Sequence, residues 1–177
     1  YISTAGLAAV GKDMSRTSYR QEILAEDDEL LASHLVHGVW NDDHKCRGFE
    51  IPTTWPIYSG HDFGSANPAA LFLARVKLPL PPGAPLQMRY GDIISFREYL
   101  PGVGTSTAIN VDAFKGYTKG LTIQASAGGS HQEEDSRGTY TKHGWTIMEP
   151  AMPQMRPQVD RVVAIMEAGK YWVFEDN

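Results

Sequence analysis

Four of the seven residues from 79 to 85 (Pro79-Leu80-Pro81-Pro82-Gly83-Ala84-Pro85) are proline, and no other segment restricts the fold as strongly. Proline lacks a backbone N–H and has a fixed φ, so this stretch is barred from the middle of a sheet. Apolar runs of strand length flank it, residues 69–78 before and 93–100 after. Two such runs joined by an unpairable segment predict a hairpin with an extended tip. A third run, 56–61, ends in Asp62 and reaches the second through the turn-like Phe63-Gly64-Ser65-Ala66-Asn67-Pro68. The three runs predict an antiparallel meander with Asp62 at the end of its first strand.

Beyond the meander the apolar period changes. Residues 105–117 place Ile109, Ala113 and Phe114 on one helical face. Residues 121–127 read as a strand, 132–143 as a helix and 145–148 as a strand. The clearest helix is 154–168, where Val159, Val162, Val163 and Met166 fall at i, i+3, i+4 and i+7 before Gly169. Residues 171–174 form a last strand. Three strands followed by αβ, αβ and αβ predict an α/β fold with a mixed sheet flanked by helices. Upstream, 15–37 reads as a helix with Tyr19, Ile23, Leu30, Leu31 and Leu35 on its apolar stripe, and 40–56 reads as a loop-like connector.

A chain of 177 residues holds one domain with an appendage. Its longest uncharged apolar run, 69–74, is far short of the roughly 18 residues a bilayer requires, which predicts a soluble protein with no membrane partner. The lone Cys46 excludes an internal disulfide and a cysteine-cluster zinc site, in keeping with a reducing, intracellular setting. The net charge of -5 argues against passive coating of nucleic acid, but it is compatible with a nuclease whose metal site gathers carboxylates. Tyr1 stands where a Met would begin a gene product, and Asn177 closely follows an apolar run. The chain reads as a piece of a longer protein.

Several motifs carry candidate chemistry. Gly6-Leu7-Ala8-Ala9-Val10-Gly11-Lys12 has the spacing of a phosphate loop, but Asp13 follows where a magnesium-binding hydroxyl belongs. His34 and His37 lack a third ligand at a recognised spacing. Asp42, Asp43, His44 and Cys46 are explained by turn chemistry. Asp62 is different: a carboxylate at the open end of a strand, followed by Gly64, suits a hard cation that wants oxygen donors and room for phosphates. It suits equally a cap on the turn at Asn67-Pro68. His61 alternates to the opposite face from Asp62.

The stretch from Tyr58 through His61-Asp62-Phe63-Gly64 to Ala70 resembles the first motif of the nuclease domain of the large terminase subunit of tailed bacteriophages. Tyr19-Arg20-Gln21-Glu22-Ile23-Leu24 with Gly38-Val39-Trp40 is similar to the linker that follows the ATPase domain in that family. Gly91-Asp92-Ile93-Ile94-Ser95-Phe96 resembles its third strand, and Gly144-Trp145-Thr146-Ile147 with Val159-Asp160-Arg161-Val162 the segment before its last strand. The resemblance implies an RNase H-like mixed sheet, with residues 1–55 a linker after an absent ATPase domain and 56–177 a nuclease domain incomplete at its C-terminus. It also implies an endodeoxyribonuclease with two Mg²⁺ or Mn²⁺ ions, cutting concatemeric DNA during genome packaging. Implied partners are double-stranded DNA, the portal protein and the small terminase subunit. The implied location is the cytoplasm of a bacterial host.

On this resemblance Asp62 takes the first metal-ligand position. The position of a second aspartate falls on Ala125 or Ser126 in Gln124-Ala125-Ser126-Ala127-Gly128-Gly129, and neither residue carries charge. Glu133 and Glu134 as catalytic groups and Asp135 as a metal ligand are then expected to reach back from the next helix, although acids at a helix start also suit the dipole. DNA contacts are expected from Lys115, Lys119, Arg137 and Lys142. Two alternatives accompany this reading. One is a catalytically degenerate RNase H-like module that guides DNA or docks to the portal. The other is a phosphotransferase of the actin and sugar-kinase fold, which would need a second glycine-rich phosphate loop.

Overall fold

A computed structural model describes residues 40, 42–64, 67–152 and 154–176. The segments 6–12 and 15–37, with His34 and His37, lie outside the described residues. Residues 40–177 fall in one compact unit. Its strands are β1 (Lys45–Cys46), β2 (Pro56–Asp62), β3 (Ala69–Arg75), β4 (Ile93–Tyr99), β5 (Thr122–Gly128) and β6 (Tyr171–Phe174). Its helices are α1 (Thr107–Tyr117), α2 (Glu134–Lys142) and α3 (Met155–Glu167). The strands form one sheet in the order β1-β6-β4-β3-β2-β5.

The expected meander is present: β2 pairs antiparallel with β3, and β3 with β4. The proline-rich segment joins β3 to β4 outside the sheet, and β3 stops at Arg75 rather than at 78. β5 pairs parallel with β2, and β6 pairs parallel with β4. Only β3 therefore runs against the other strands, which is the mixed α/β sheet expected from the element order.

Alternation along β2 sorts the two faces. Ile57, Ser59 and His61 are buried, while Tyr58, Gly60 and Asp62 point the other way. On the first face α1 and α2 cover the sheet, with Phe114, Tyr140 and Trp145 packed around Phe72 and His61. The Phe72 and Phe114 rings are 5.5 Å apart, and Phe114 stacks on Tyr140 at 6.0 Å. On the second face Val162 and Ile165 of α3 line, with Tyr58, Leu73, Ile93 and Tyr171, a cavity of about 470 Å³.

Two expectations change. Residues 40–55 are not a free connector: Cys46, Ile51 and Trp55 belong to the core, and β1 adds to the sheet beside β6. Phe49 packs edge-on against Trp55 and Phe174, so apolar contact rather than a long strand pins this irregular stretch. The domain thus begins upstream of 56. Residues 145–148 make only one bridge, Met148 to Ala127, instead of a strand, because Trp145 and Ile147 turn into the core.

Candidate functional site

Because β2, β4 and β5 run the same way, their carboxyl ends open onto one edge of the sheet, and Asp62 stands there as the last residue of β2. Its side chain is exposed. One carboxylate oxygen accepts the Gly64 amide at 3.3 Å, which is the turn-capping role that its neighbourhood also suggests. The remaining lone pairs face solvent.

Behind Asp62, His61 points into the core. Its Nε2 lies 2.8 Å from the Ser59 hydroxyl and accepts the Trp145 indole N–H at 3.3 Å. The Ser59 and Ser126 hydroxyls are 2.7 Å apart. Burial pushes the His61 pKa down to about 4, so the ring is neutral at physiological pH. His61 is a core group on the face opposite Asp62, as the strand period predicts.

No family model matches the sequence, and no curated protein matches it. Solved structures do. The P22 large terminase nuclease domain superimposes with a TM-score of 0.61 over 80% of this chain and 72% of its own, at 16% identity. The HK97 bacteriophage large terminase superimposes with a TM-score of 0.55 over 97% of this chain, at 13% identity. The chain spans 40% of the length of that protein.

The fold is that of a large-terminase nuclease domain.

On this terminase-nuclease fold, Ala125 and Ser126 do not reach the strand tip. The family turn was expected there, but β5 continues to Gly128, and the two residues pair with Tyr58 and Ser59 inside the sheet. Ser126 is buried against Ser59. Beside Asp62 stand Gly128 and Gly129, with the Gly129 amide donated to the His61 carbonyl at 3.2 Å. A Cβ at Gly128 would overlap that carbonyl oxygen, and one at Gly129 would come within 2.6 Å of the Phe63 ring at a φ of +70°. Neither position has room for a carboxylate.

Glu133 is committed elsewhere. Its carboxylate accepts the Ser130 amide at 2.6 Å in a capping box at the start of the next helical segment. That amide holds the Glu133 carboxyl below its usual range. Glu134 and Asp135 are exposed in the first turn of α2, where acids favour the dipole. Among the described residues, no three Asp, Glu, His or Cys side chains come together as a metal site. Asp62 therefore fits a single cation that takes its other oxygens from water and phosphate, and the described residues do not assemble a two-ion set.

The expected DNA contacts also change. In an αβ unit the helix runs back across the sheet, so the C-terminal ends of α1 and α2 lie at the edge opposite Asp62. Lys115, Lys119 and Lys142 sit at those ends, and the Lys115 ammonium donates to the His143 carbonyl at 3.1 Å. Arg137 is near the Asp62 edge but buried. Its guanidinium donates to the carbonyls of Ser130 (2.7 Å), Gly128 (3.3 Å) and His131 (3.4 Å), closing the chain around the end of β5. Its spacing of three from Tyr140 on α2 is the signal that could have assigned it to the packed face. No helix among the described residues is long and apolar enough to cross a membrane.

Proposed function

We propose that this chain is the DNA-cleaving part of a viral genome-packaging enzyme, hydrolysing phosphodiester bonds at the carboxyl edge of its sheet. The observation that carries the reading is an exposed carboxylate, Asp62, at the end of the first meander strand in a fold shared with the P22 large terminase nuclease domain. Asp62 is the residue that would hold Mg²⁺ or Mn²⁺. Such an ion supplies positive charge to a phosphoryl oxygen and acidifies a bound water. The chain's own part is to present the carboxylate on a rigid strand and to keep it ionised and open to solvent. Substrate would be double-stranded DNA, with a portal protein and a small terminase subunit as partners in packaging.

The test is incubation of the whole chain with supercoiled plasmid and Mn²⁺. The expected result is nicked circles that EDTA abolishes and that Asp62→Asn reduces by about a hundredfold or more. Intact plasmid across a range of Mn²⁺ concentrations would remove cleavage from this chain and leave a DNA-guiding module.

A further inference from the structure

A polar cavity of about 230 Å³ opens beside the end of β2, with Gly64, Thr107, Asn110, Ser136 and Tyr140 among its walls. None of the residues lining it is charged. Its volume is several times the ~30 Å³ share of one water molecule, so it admits a small polar group.

Its walls are built to donate hydrogen bonds. Tyr99 donates its hydroxyl to Asn110 Oδ1 at 2.7 Å, and Asn110 Nδ2 donates to the Tyr140 oxygen at 3.0 Å. Asn110 and Tyr140 are 2% and 7% exposed. With its oxygen accepting, Tyr140 has a hydroxyl proton of its own to give, and no residue among those described receives it. A buried donor left without an acceptor is unfavourable, and a ligand oxygen in the cavity would satisfy it.

The start of α1 adds donors of the same kind. Ser106 caps this helix by accepting the Ile109 amide, and its carbonyl takes the Asn110 amide. The amides of Thr107 and Ala108 find no acceptor among the described residues. They stand at the positive end of the helix, where an anion is favoured.

Charge completes the argument. The described residues of the carboxyl-edge loops (63, 64, 67, 68, 100–106 and 129–133) include no lysine or arginine. A DNA strand reaching Asp62 must therefore be held at this edge by neutral donors. We propose that the cavity binds one backbone phosphate of the DNA strand, at a neighbour of the phosphate presented to Asp62. The amides of Thr107 and Ala108 and the hydroxyls of Tyr140 and Ser136 are the donors. A phosphodiester is an acceptor-only anion and matches them. The place of this site on the substrate rests on the nuclease reading; its affinity for phosphate does not.

The test is titration of the ¹⁵N-labelled whole chain, in EDTA, with inorganic phosphate and separately with the dinucleotide dTpdT. Saturable shifts of the Thr107 and Ala108 amides are expected with both probes. Tyr140→Phe and Ser136→Ala should each weaken binding by about tenfold, the worth of one hydrogen bond to a charged acceptor. If Tyr140→Phe disturbs the spectrum at large, Ser136→Ala decides alone. No shift at these amides, shifts confined to surface lysines, or unchanged affinity in a well-folded variant would each overturn the proposal. Plasmid nicking separates the two readings: nicking without phosphate binding removes the cavity site alone, and phosphate binding without nicking removes cleavage alone.

Discussion

Trp145 donates its indole N–H to Nε2 of His61 across 3.3 Å, which leaves that nitrogen an acceptor and places the imidazole proton on Nδ1. The Ser59 hydroxyl approaches the same nitrogen at 2.8 Å. The pocket is thus built for the neutral ring, and burial holds the folded pKa at about 4 against 6.5 for a free histidine. Above pH 6.5 both the folded and unfolded chains are neutral here, and the full contribution is present. Between 6.5 and 4 the unfolded chain takes up a proton that the folded chain refuses, so stability falls with pH by up to about 3 kcal/mol. Urea unfolding at pH 7.0 and pH 4.5 should show this loss in the wild type and a smaller one in His61→Gln. Equal losses in the two proteins would assign the acid sensitivity to other groups.

Gly128 and Gly129 close the space where a second carboxylate would complement Asp62. Gly128→Ala drives a methyl into the His61 carbonyl, and Gly129→Ala meets the Phe63 ring at a positive φ. Each should destabilise the fold by about 2–4 kcal/mol. Gly60→Ala, on the same strand as Asp62 with nothing within 4 Å of the added carbon, should shift stability by less than about 1 kcal/mol. Chemical denaturation midpoints of the three variants check the order. A well-folded Gly128→Asp protein would show that the strand tip yields and can regain an acid.

Asp92 secures the other end of the sheet. It is 2% exposed, and one carboxylate oxygen accepts both the Arg89 amide and the Trp172 indole N–H at 3.0 Å. It ties the return of the proline-rich hairpin to β6. Asp92→Ala leaves both donors buried and unpaired and should cost about 2–4 kcal/mol. Trp172 reports the loss directly: its fluorescence should shift to the red in the variant before global unfolding. An unchanged unfolding midpoint would mean that water replaces the carboxylate at no cost.

What the sequence made legible follows period and punctuation. Proline at 79–85 and the alternation around Ile57, Ser59 and His61 were enough to place the meander and set Asp62 at its edge. The strand at 45–46 was not legible, because two residues among Asp42, Asp43 and Gly48 have no period to read; only their pairing with Val173 and Phe174 makes them a strand. The second half of the site failed for a related reason. Motif spacing located Ala125 and Ser126 but not the register that leaves them paired with Tyr58 and Ser59, short of the tip. The lysines were misplaced because helix direction across the sheet, rather than closeness in sequence to a motif, decides which edge a side chain reaches.

That geometry separates two basic residues of α2 that composition treats alike. Arg137 donates to three backbone carbonyls from a buried position at the end of β5, whereas Lys142 is exposed at the far end of the helix. Arg137→Ala removes the donors from three carbonyls and opens a void, and should destabilise by about 3 kcal/mol or more. Arg137→Lys should recover less than half of this, since an ammonium lacks the planar fork that reaches several acceptors at once. Lys142→Ala and Lys119→Ala should change stability by less than about 0.5 kcal/mol. They should also change plasmid nicking at low salt by less than about threefold, because both lie a sheet length from Asp62 and are screened. Denaturation curves and nicking rates on the four variants test the assignment together. A large loss of nicking in Lys119→Ala or Lys142→Ala, with stability intact, would place the DNA path over the opposite edge of the sheet.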